Sequence, residues 1–336
     1  MTRTKCIYVS PKTRKPLRVS STQMEGNDVI EGALLGEGDE RYPILGGIPD
    51  FVSPDTLSSE QQGARDYYKK SAAVYDDVAN LTFRIQNVDE TKERKRMVEC
   101  LHLTGFERVL ELACGTGRDS VLIAKRLHGG AEYYLQDISK DMLLKCREKV
   151  ARTAAAPAFS VGNACALAFP DRYFDAVYSF GGLGVFGDIR QAMREIVRVS
   201  KVGARVVVGD ESMPPWLYES EYGKILLNNN PLFKLPIPLD KMPVEARDVA
   251  VRWVVGGVYY IIEFTVGEGE PKADFDLEIP GRRGGSLRTR YYGRLEGVTK
   301  ETFELAQKAR EKSGKSMHEW LDEAVSEAAR KELGHR

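Results

Sequence analysis

Between residues 108 and 209 the chain alternates short apolar runs with amphipathic stretches. The runs at 108–112, 132–136, 157–161, 174–179 and 204–209 read as strands, and the stretches at 117–128, 139–152 and 188–200 carry helical spacing. Strands separated by helices predict βαβ units and a mostly parallel sheet. Further on, "VAVRWVV" and "VYYIIEFTV" meet at Gly256 and Gly257. Two such runs joined by a glycine pair predict an antiparallel hairpin, here at a sheet edge. The expected fold class is therefore α/β, a doubly wound, mostly parallel sheet with an antiparallel edge hairpin.

The flanks follow other patterns. Residues 1–57 hold short apolar runs, a turn-rich segment, and Pro43, Pro49 and Pro54, which exclude a long helix and predict a small β-rich module. Helical spacing takes over in "SSEQQGARDYYKKSAAVYDDVAN" and "DETKERKRMVECLHLTG", the start of a main domain over 58–267. Residues 211–248 are long for a connection and rich in Trp, Tyr, Leu and Pro, which predicts a lid over an acceptor site. Residues 268–336 read as a basic strand followed by a helical hairpin, its helices opening at Thr299 and at the Ser316–Glu319 capping box and breaking at Gly314.

Composition removes several function classes. The 336 residues carry 49 basic and 49 acidic side chains, so there is no bulk electrostatic footprint of a nucleic-acid binder. The apolar runs are broken by charges and the first residues lack an apolar core, so neither a membrane span nor a secretory signal is expected, and the cytoplasm is the expected location. Cys6, Cys100, Cys114, Cys146 and Cys165 are odd in number and never paired as C-x-x-C, which argues against a disulfide framework and a zinc site, and no bound metal is expected.

Chemistry concentrates in "RVLELACGTGRDSVLIAKRL", a strand, a glycine turn and a helix. Glu111 and Asp119 flank Gly115 and Gly117; Ser120 replaces the third glycine of a dinucleotide turn, and no Lys-Ser/Thr follows. Acids inside such a turn work against phosphate. An adenosine ligand bearing a sulfonium and an ammonium, S-adenosylmethionine, suits it better. Asp137 ends the next strand at the distance where an acid meets ribose hydroxyls, Ile138 and Met142 offer apolar contacts for an adenine, and Asn163 and Ala164 form the corner after the third strand.

These motifs resemble the class I S-adenosylmethionine-dependent methyltransferases, most closely the ubiquinone/menaquinone-biosynthesis branch. The similarity spans about 65–265 and includes "VLELACGTG", "LQDISKDML" and "GNACALAFPDRYFDAVYS". It implies a Rossmann-like methyltransferase sheet and S-adenosylmethionine held by Glu111, Ala113, Gly115, Gly117, Asp137, Ile138, Met142, Asn163, Ala164 and Ser179. Ala113 and Arg118 stand where the family often has glycine, Asn163 where it often has aspartate, and "FGGLGVFGD" where histidines are common. The N-terminal module resembles a zinc ribbon without its paired cysteines. The C-terminal segment resembles a ribbon-helix-helix unit, a class of intertwined dimers, which implies a homodimer through this segment; its balanced charge favours packing over DNA reading.

A small-molecule acceptor is expected, with a nucleic-acid-modifying or regulatory protein as the other class. Tyr67 and Tyr75, on the leading helix that covers the active site in the resembled family, are expected to orient the acceptor, and Trp216 of the lid to contact it. Arg288, among Arg282, Arg283, Arg290 and Arg294, would meet an anionic acceptor. No histidine base is expected: His102, His128, His318 and His335 lie away from the proposed site segments.

Overall fold

The computed structural model describes residues 7–26, 28–52, 57–153, 156–280, 285–292 and 298–334. Cys6, Pro54, Arg282, Arg283, Arg294 and His335 lie outside the described residues. The chain divides into two units, 1–270 and 271–336.

The first unit opens with an antiparallel sheet in sequential order: β1 (Arg18–Glu25), β2 (Asp28–Leu35), β3 (Arg41–Leu45) and β4 (Ile48–Pro49). Tyr42 and Ile44 of β3 point into a core with Tyr8, Leu34 and Phe51, while Arg41 and Leu45 face solvent, the period-two pattern of a half-buried sheet. After β4 the chain runs beside the edge of the main sheet. The Phe51 N–H donates to the Val161 carbonyl at 2.9 Å, so the N-terminal module covers an edge that would otherwise expose unpaired backbone.

Three helices follow: α1 (Ser59–Ser71), opened by a capping box of Ser58 and Gln61; α2 (Tyr75–Ile85); and α3 (Glu90–Glu99), capped by Asp89. The single leading helix expected from the sequence is thus two, divided at 72–74. Then come β5 (Arg108–Leu112), α4 (Ser120–Ala124), β6 (Glu132–Asp137), α5 (Lys140–Val150), β7 (Ala158–Val161), β8 (Phe174–Phe180), α6 (Ile189–Val199) and β9 (Ser200–Glu211). The segment 211–248, expected as a lid, contains α7 (Glu221–Asn229), and the hairpin β10 (Ala246–Val254) and β11 (Tyr259–Val266) closes the unit.

The seven strands are ordered β10-β11-β9-β8-β5-β6-β7. β9, β8, β5, β6 and β7 are parallel; β11 runs antiparallel to β9, and β10 to β11. This is the expected doubly wound sheet with its antiparallel edge hairpin. The chain leaves β5 toward β7 on one side and returns through β8 to β9 on the other. That reversal opens a crevice at the carboxyl ends of β5 and β8, where such sheets bind ligands.

The second unit holds α8 (Leu287–Tyr292), α9 (Lys300–Ser313) and α10 (Met317–Glu332). The expected basic strand is replaced by the short helix α8, whose first turn is bonded through Ser286 and Thr289. Thr299 caps α9, Gly314 ends it at φ 70°, and Ser316 and Glu319 form the capping box of α10. Among the described residues no helix is long and apolar enough to cross a membrane.

Candidate functional site

Two cavities open at the carboxyl edge of the sheet. The first lies over the turn that follows β5. Val109, Leu110 and Leu112 bury β5 completely and so fix where the turn begins. The backbone then takes positive φ at Ala113 (51°), Gly115 (53°) and Gly117 (84°), bending sharply enough to leave amides along the cleft. Gly115 has no atom within 4 Å of where a Cβ would stand, whereas a Cβ on Gly117 would meet Cys146 Sγ at 2.7 Å. One glycine keeps the cleft open; the other lets the turn pack on α5.

Asp137, at the end of β6, reaches this turn. Its Oδ2 accepts the Gly115 N–H at 2.8 Å and its Oδ1 the Ser139 N–H at 2.8 Å. Burial nevertheless pushes its carboxyl up to about 6. Ser139 caps α5 through the Met142 N–H at 3.4 Å and brings Ile138 and Met142 to the same wall. Asn163 and Ala164 line the opposite side. The Asn163 amide is shared with Gln61: each side chain donates to the other at 3.2 Å, and Gln61 also donates to the Phe186 carbonyl at 2.6 Å, which pins α1 across the cleft.

The acids flanking the glycines have other partners. Glu111 lies beneath the turn, where it accepts from Ser120 Oγ at 3.0 Å and from the Tyr133 hydroxyl, and burial pushes its carboxyl well above the ordinary range. It lines the cleft from beneath the turn. Asp119 is held by Arg94 at 2.6 Å, and Arg94 is held in turn by Glu90 at 2.7 Å. Arg118 also pairs with Glu90, but its buried Nη1, on the cleft wall, has no hydrogen-bond partner among the described residues. Ser179 is buried within β8 and does not line the cleft; its hydroxyl is unpartnered there.

The second cavity adjoins the first. Tyr68, Tyr75, Arg94, Phe180, Gly181 and Val185 line both. Its outer walls come from α2 (Val78, Phe83), from β11 (Tyr259, Tyr260) and from the lid (Leu232, Leu235, Pro236, Pro238). The lid is anchored where the Met213 N–H donates to the Phe233 carbonyl at 2.7 Å and Ser212 Oγ to the Leu235 carbonyl at 2.8 Å. At the carboxyl end of β9, Asp210 accepts the Glu211 N–H at 2.8 Å and the Gly184 N–H, and burial pushes it up to about 6. Glu211 accepts from the Tyr259 hydroxyl at 2.9 Å and from Asn230 at 3.1 Å.

The remaining expected residues separate. Tyr75 stands on the shared wall; Tyr67 is at the rim, 61% exposed, with its ring edge against Tyr68. Trp216 is 71% exposed and packs on Trp253 outside both cavities. Arg288 belongs to the second unit, where it is bonded to Asp276 at 2.9 Å. His102 and His128 line neither cavity, and His318 belongs to the second unit.

Residues 109–203 match the methyltransferase domain family. A demethylmenaquinone methyltransferase of Lactiplantibacillus plantarum is 34% identical over 157 residues, 45% of this chain and 66% of the relative. A ubiquinone/menaquinone biosynthesis C-methyltransferase of Pectobacterium carotovorum is 33% identical over 152 residues, 44% of this chain and 59% of the relative. The chain spans less than two thirds of the length of either. Residues 109–203 thus read as a methyltransferase domain similar to those of these relatives. Among solved structures, phosphoethanolamine N-methyltransferase 2 of Haemonchus contortus superposes with a TM-score of 0.47 at 14% identity, over 66% of this chain and 62% of that one, a distance at which nothing about function follows.

Gln61, Tyr68, Arg94 and Asp210 of the first unit were not singled out in the sequence. Arg94 sits in "KERKR", which reads as a solvated run, and Gln61 as an ordinary capping residue. Tyr68 is one helical position from Tyr67, a distinction spacing alone does not make. Asp210 carried a usable signal: an acid at the carboxyl end of a strand in an open α/β sheet.

Proposed function

We propose that the protein transfers the methyl group of S-adenosylmethionine to a small-molecule acceptor held in the second cavity. The observation that carries this reading is the wall of Tyr68, Tyr75, Arg94, Phe180, Gly181 and Val185 that the two cavities share, so that ligands in each would meet across it.

In this reading the first cavity holds the cofactor. Asp137 accepts the ribose hydroxyls, Ile138 and Met142 pack on the adenine, and the Ala164 corner faces its edge. The turn at Ala113, Gly115 and Gly117 admits the amino-acid tail, whose carboxylate the unpartnered Arg118 Nη1 can receive. Bound there, S-adenosylmethionine supplies an electrophilic sulfonium methyl. The chain's own part is to orient the acceptor and exclude water. Tyr75 and Tyr68 present hydroxyls at the junction, Phe180 and Val185 close it, and the lid residues Leu232 and Leu235 cover the outer side. Holding two reactants in line accounts for much of the acceleration of such a transfer.

The relatives' acceptors, named for demethylmenaquinone and for ubiquinone and menaquinone biosynthesis, support a flat ring compound, and the aromatic and aliphatic walls suit one. Methyl-labelled S-adenosylmethionine incubated with the protein and a fractionated cell extract tests the reading. Label is expected in the apolar small-molecule fraction. Label confined to nucleic acid or protein, or no transfer at all, would contradict it.

A further inference from the structure

We propose that Asp210 is the base that takes a hydroxyl proton from the acceptor, and that the acceptor is an uncharged ring bearing that hydroxyl. The inference rests on the second cavity being the acceptor chamber.

The carboxyl is held in place by backbone alone. The Gly184 N–H, from the short helix after β8, and its neighbour the Glu211 N–H each donate to it. With the Leu183 backbone also bonding to it, the plane of the carboxylate is fixed, and a carboxylate's roughly four lone-pair sites still leave one for a further bond. Among the described residues no Lys, Arg or His pairs with Asp210, in contrast to Asp119, held by Arg94, and Asp76, held by Lys149. Asp210 lines the chamber beneath Tyr68 of α1 and Tyr75 of α2, with Tyr259 and Tyr260 of β11 beside it. An anchored carboxylate that lines a cavity and is not itself ion-paired is placed to accept a proton from whatever the cavity holds.

The chamber's charge narrows what that is. Its lining includes Glu60, Asp210, Glu211 and Asp240 against Arg94 and Lys241. Arg94 is already matched by Asp119 and Glu90, so little positive charge is left for an anion. A phosphate or carboxylate on the acceptor would face repulsion near the reacting end, which removes the anionic acceptor that the arginines near 288 had suggested. The walls are rings and aliphatic side chains, suited to a flat apolar body. Burial raises Asp210 to about 6, so it is ionised at neutral pH and a stronger base than an ordinary carboxylate. The groups facing it are Glu211 on its own strand, Tyr68 and Tyr75 from α1 and α2, and Tyr259 and Tyr260 from β11; all four phenols are themselves raised by burial and stay protonated.

The step balances without a further reagent. The acceptor O–H breaks and its proton passes to Asp210. The electron pair released attacks the sulfonium methyl through that oxygen, or through a conjugated ring carbon that afterwards loses its own proton to water. The carbon–sulfur bond breaks and leaves a neutral thioether.

Three ring probes that differ in one group test the assignment: 2-naphthol, 2-naphthoate and 2-naphthylmethylammonium, titrated by calorimetry into protein saturated with S-adenosylhomocysteine at pH 7.5. Wild type is expected to bind naphthol at least about tenfold tighter than naphthoate. Asp210→Asn should lose about tenfold for naphthol and narrow the gap to naphthoate, with S-adenosylhomocysteine affinity unchanged. With S-adenosylmethionine present, mass spectrometry should find methylated naphthol, with kcat/KM falling about tenfold per unit below pH 6 in wild type and flat in the variant. Equal affinity for naphthol in the variant, a preference for the ammonium, an unchanged pH profile, or no methylated hydroxyl-ring product would each overturn it. Absence of S-adenosylhomocysteine binding in wild type is a different failure, that of the underlying methyltransferase reading.

Discussion

The Asp137 carboxylate accepts the Gly115 amide at 2.8 Å, joining the end of β6 to the glycine turn after β5. One backbone N–H is thereby turned toward an acid, and the other oxygen is fixed by Ser139. The arrangement fixes a buried carboxylate in the wall of the cleft.

The two glycines of the turn should respond differently to the same substitution. Gly117→Ala drives a methyl into Cys146 at a φ of 84°, and overpacking plus backbone strain should cost about 2–4 kcal/mol of stability. Gly115→Ala meets no atom within 4 Å and should cost only about 1 kcal/mol, while the methyl stands in the cleft and weakens S-adenosylhomocysteine binding about tenfold or more. Denaturant melts and calorimetry on both variants separate the effects; similar stability losses in the two would contradict the distinction.

Asp210 should be a liability for the free protein. Its carboxyl is raised to about 6, so between about pH 4 and 6 the folded state keeps a proton that the unfolded chain has released. Stability from this group is therefore lost as pH rises through that window, by at most about 3 kcal/mol. Asp210→Asn should match wild type near pH 4 and exceed it increasingly toward pH 7. A difference in melting free energy that stays flat across this range would contradict the burial of an uncompensated carboxylate.

Tyr75 and Tyr68 stand where the two cavities meet, and Tyr67 does not. Removing either junction hydroxyl as Tyr75→Phe or Tyr68→Phe should lower kcat about 10- to 100-fold with cofactor affinity unchanged. Tyr67→Phe at the exposed rim should stay within about threefold. Steady-state kinetics with S-adenosylhomocysteine titrations distinguish the three, and full activity in both junction variants would remove the tyrosines from the chemistry.

The parallel sheet was legible because the core strands are short, mostly apolar runs separated by stretches of helical spacing, as at 108–112 and 174–179. The cleft was legible for a related reason: Gly115, Asp137 and Asn163 follow successive strands. What spacing does not carry is the direction of a side chain. Ser179 alternates into the sheet, Trp216 folds back on Trp253, and Glu111 turns to Tyr133 beneath the glycines. The tertiary pairing of Arg94 with Asp119, 25 residues apart, likewise has no local signature. The segment at 286–294 alternates like a strand, yet the described part of it is helical over 287–292, where Ser286 and Thr289 close the first turn.

The second unit, 271–336, is a helical unit of its own. Leu305 and Val325 on its two long helices are 69% and 63% exposed, and we propose that this face serves pairing of chains. A chain ending at 270 should keep its S-adenosylhomocysteine affinity within about twofold and lose oligomeric mass by light scattering. An unchanged mass would exclude pairing through this segment.

The most direct measurement is a calorimetric titration of S-adenosylhomocysteine into the wild-type protein and into Asp137→Ala. One site per chain is expected in wild type. Loss of a charge-assisted hydrogen bond, about 1.5–3 kcal/mol, should weaken the variant roughly 10- to 100-fold. No binding to wild type, or equal affinity in the two proteins, would contradict the assignment of the cleft to S-adenosylmethionine.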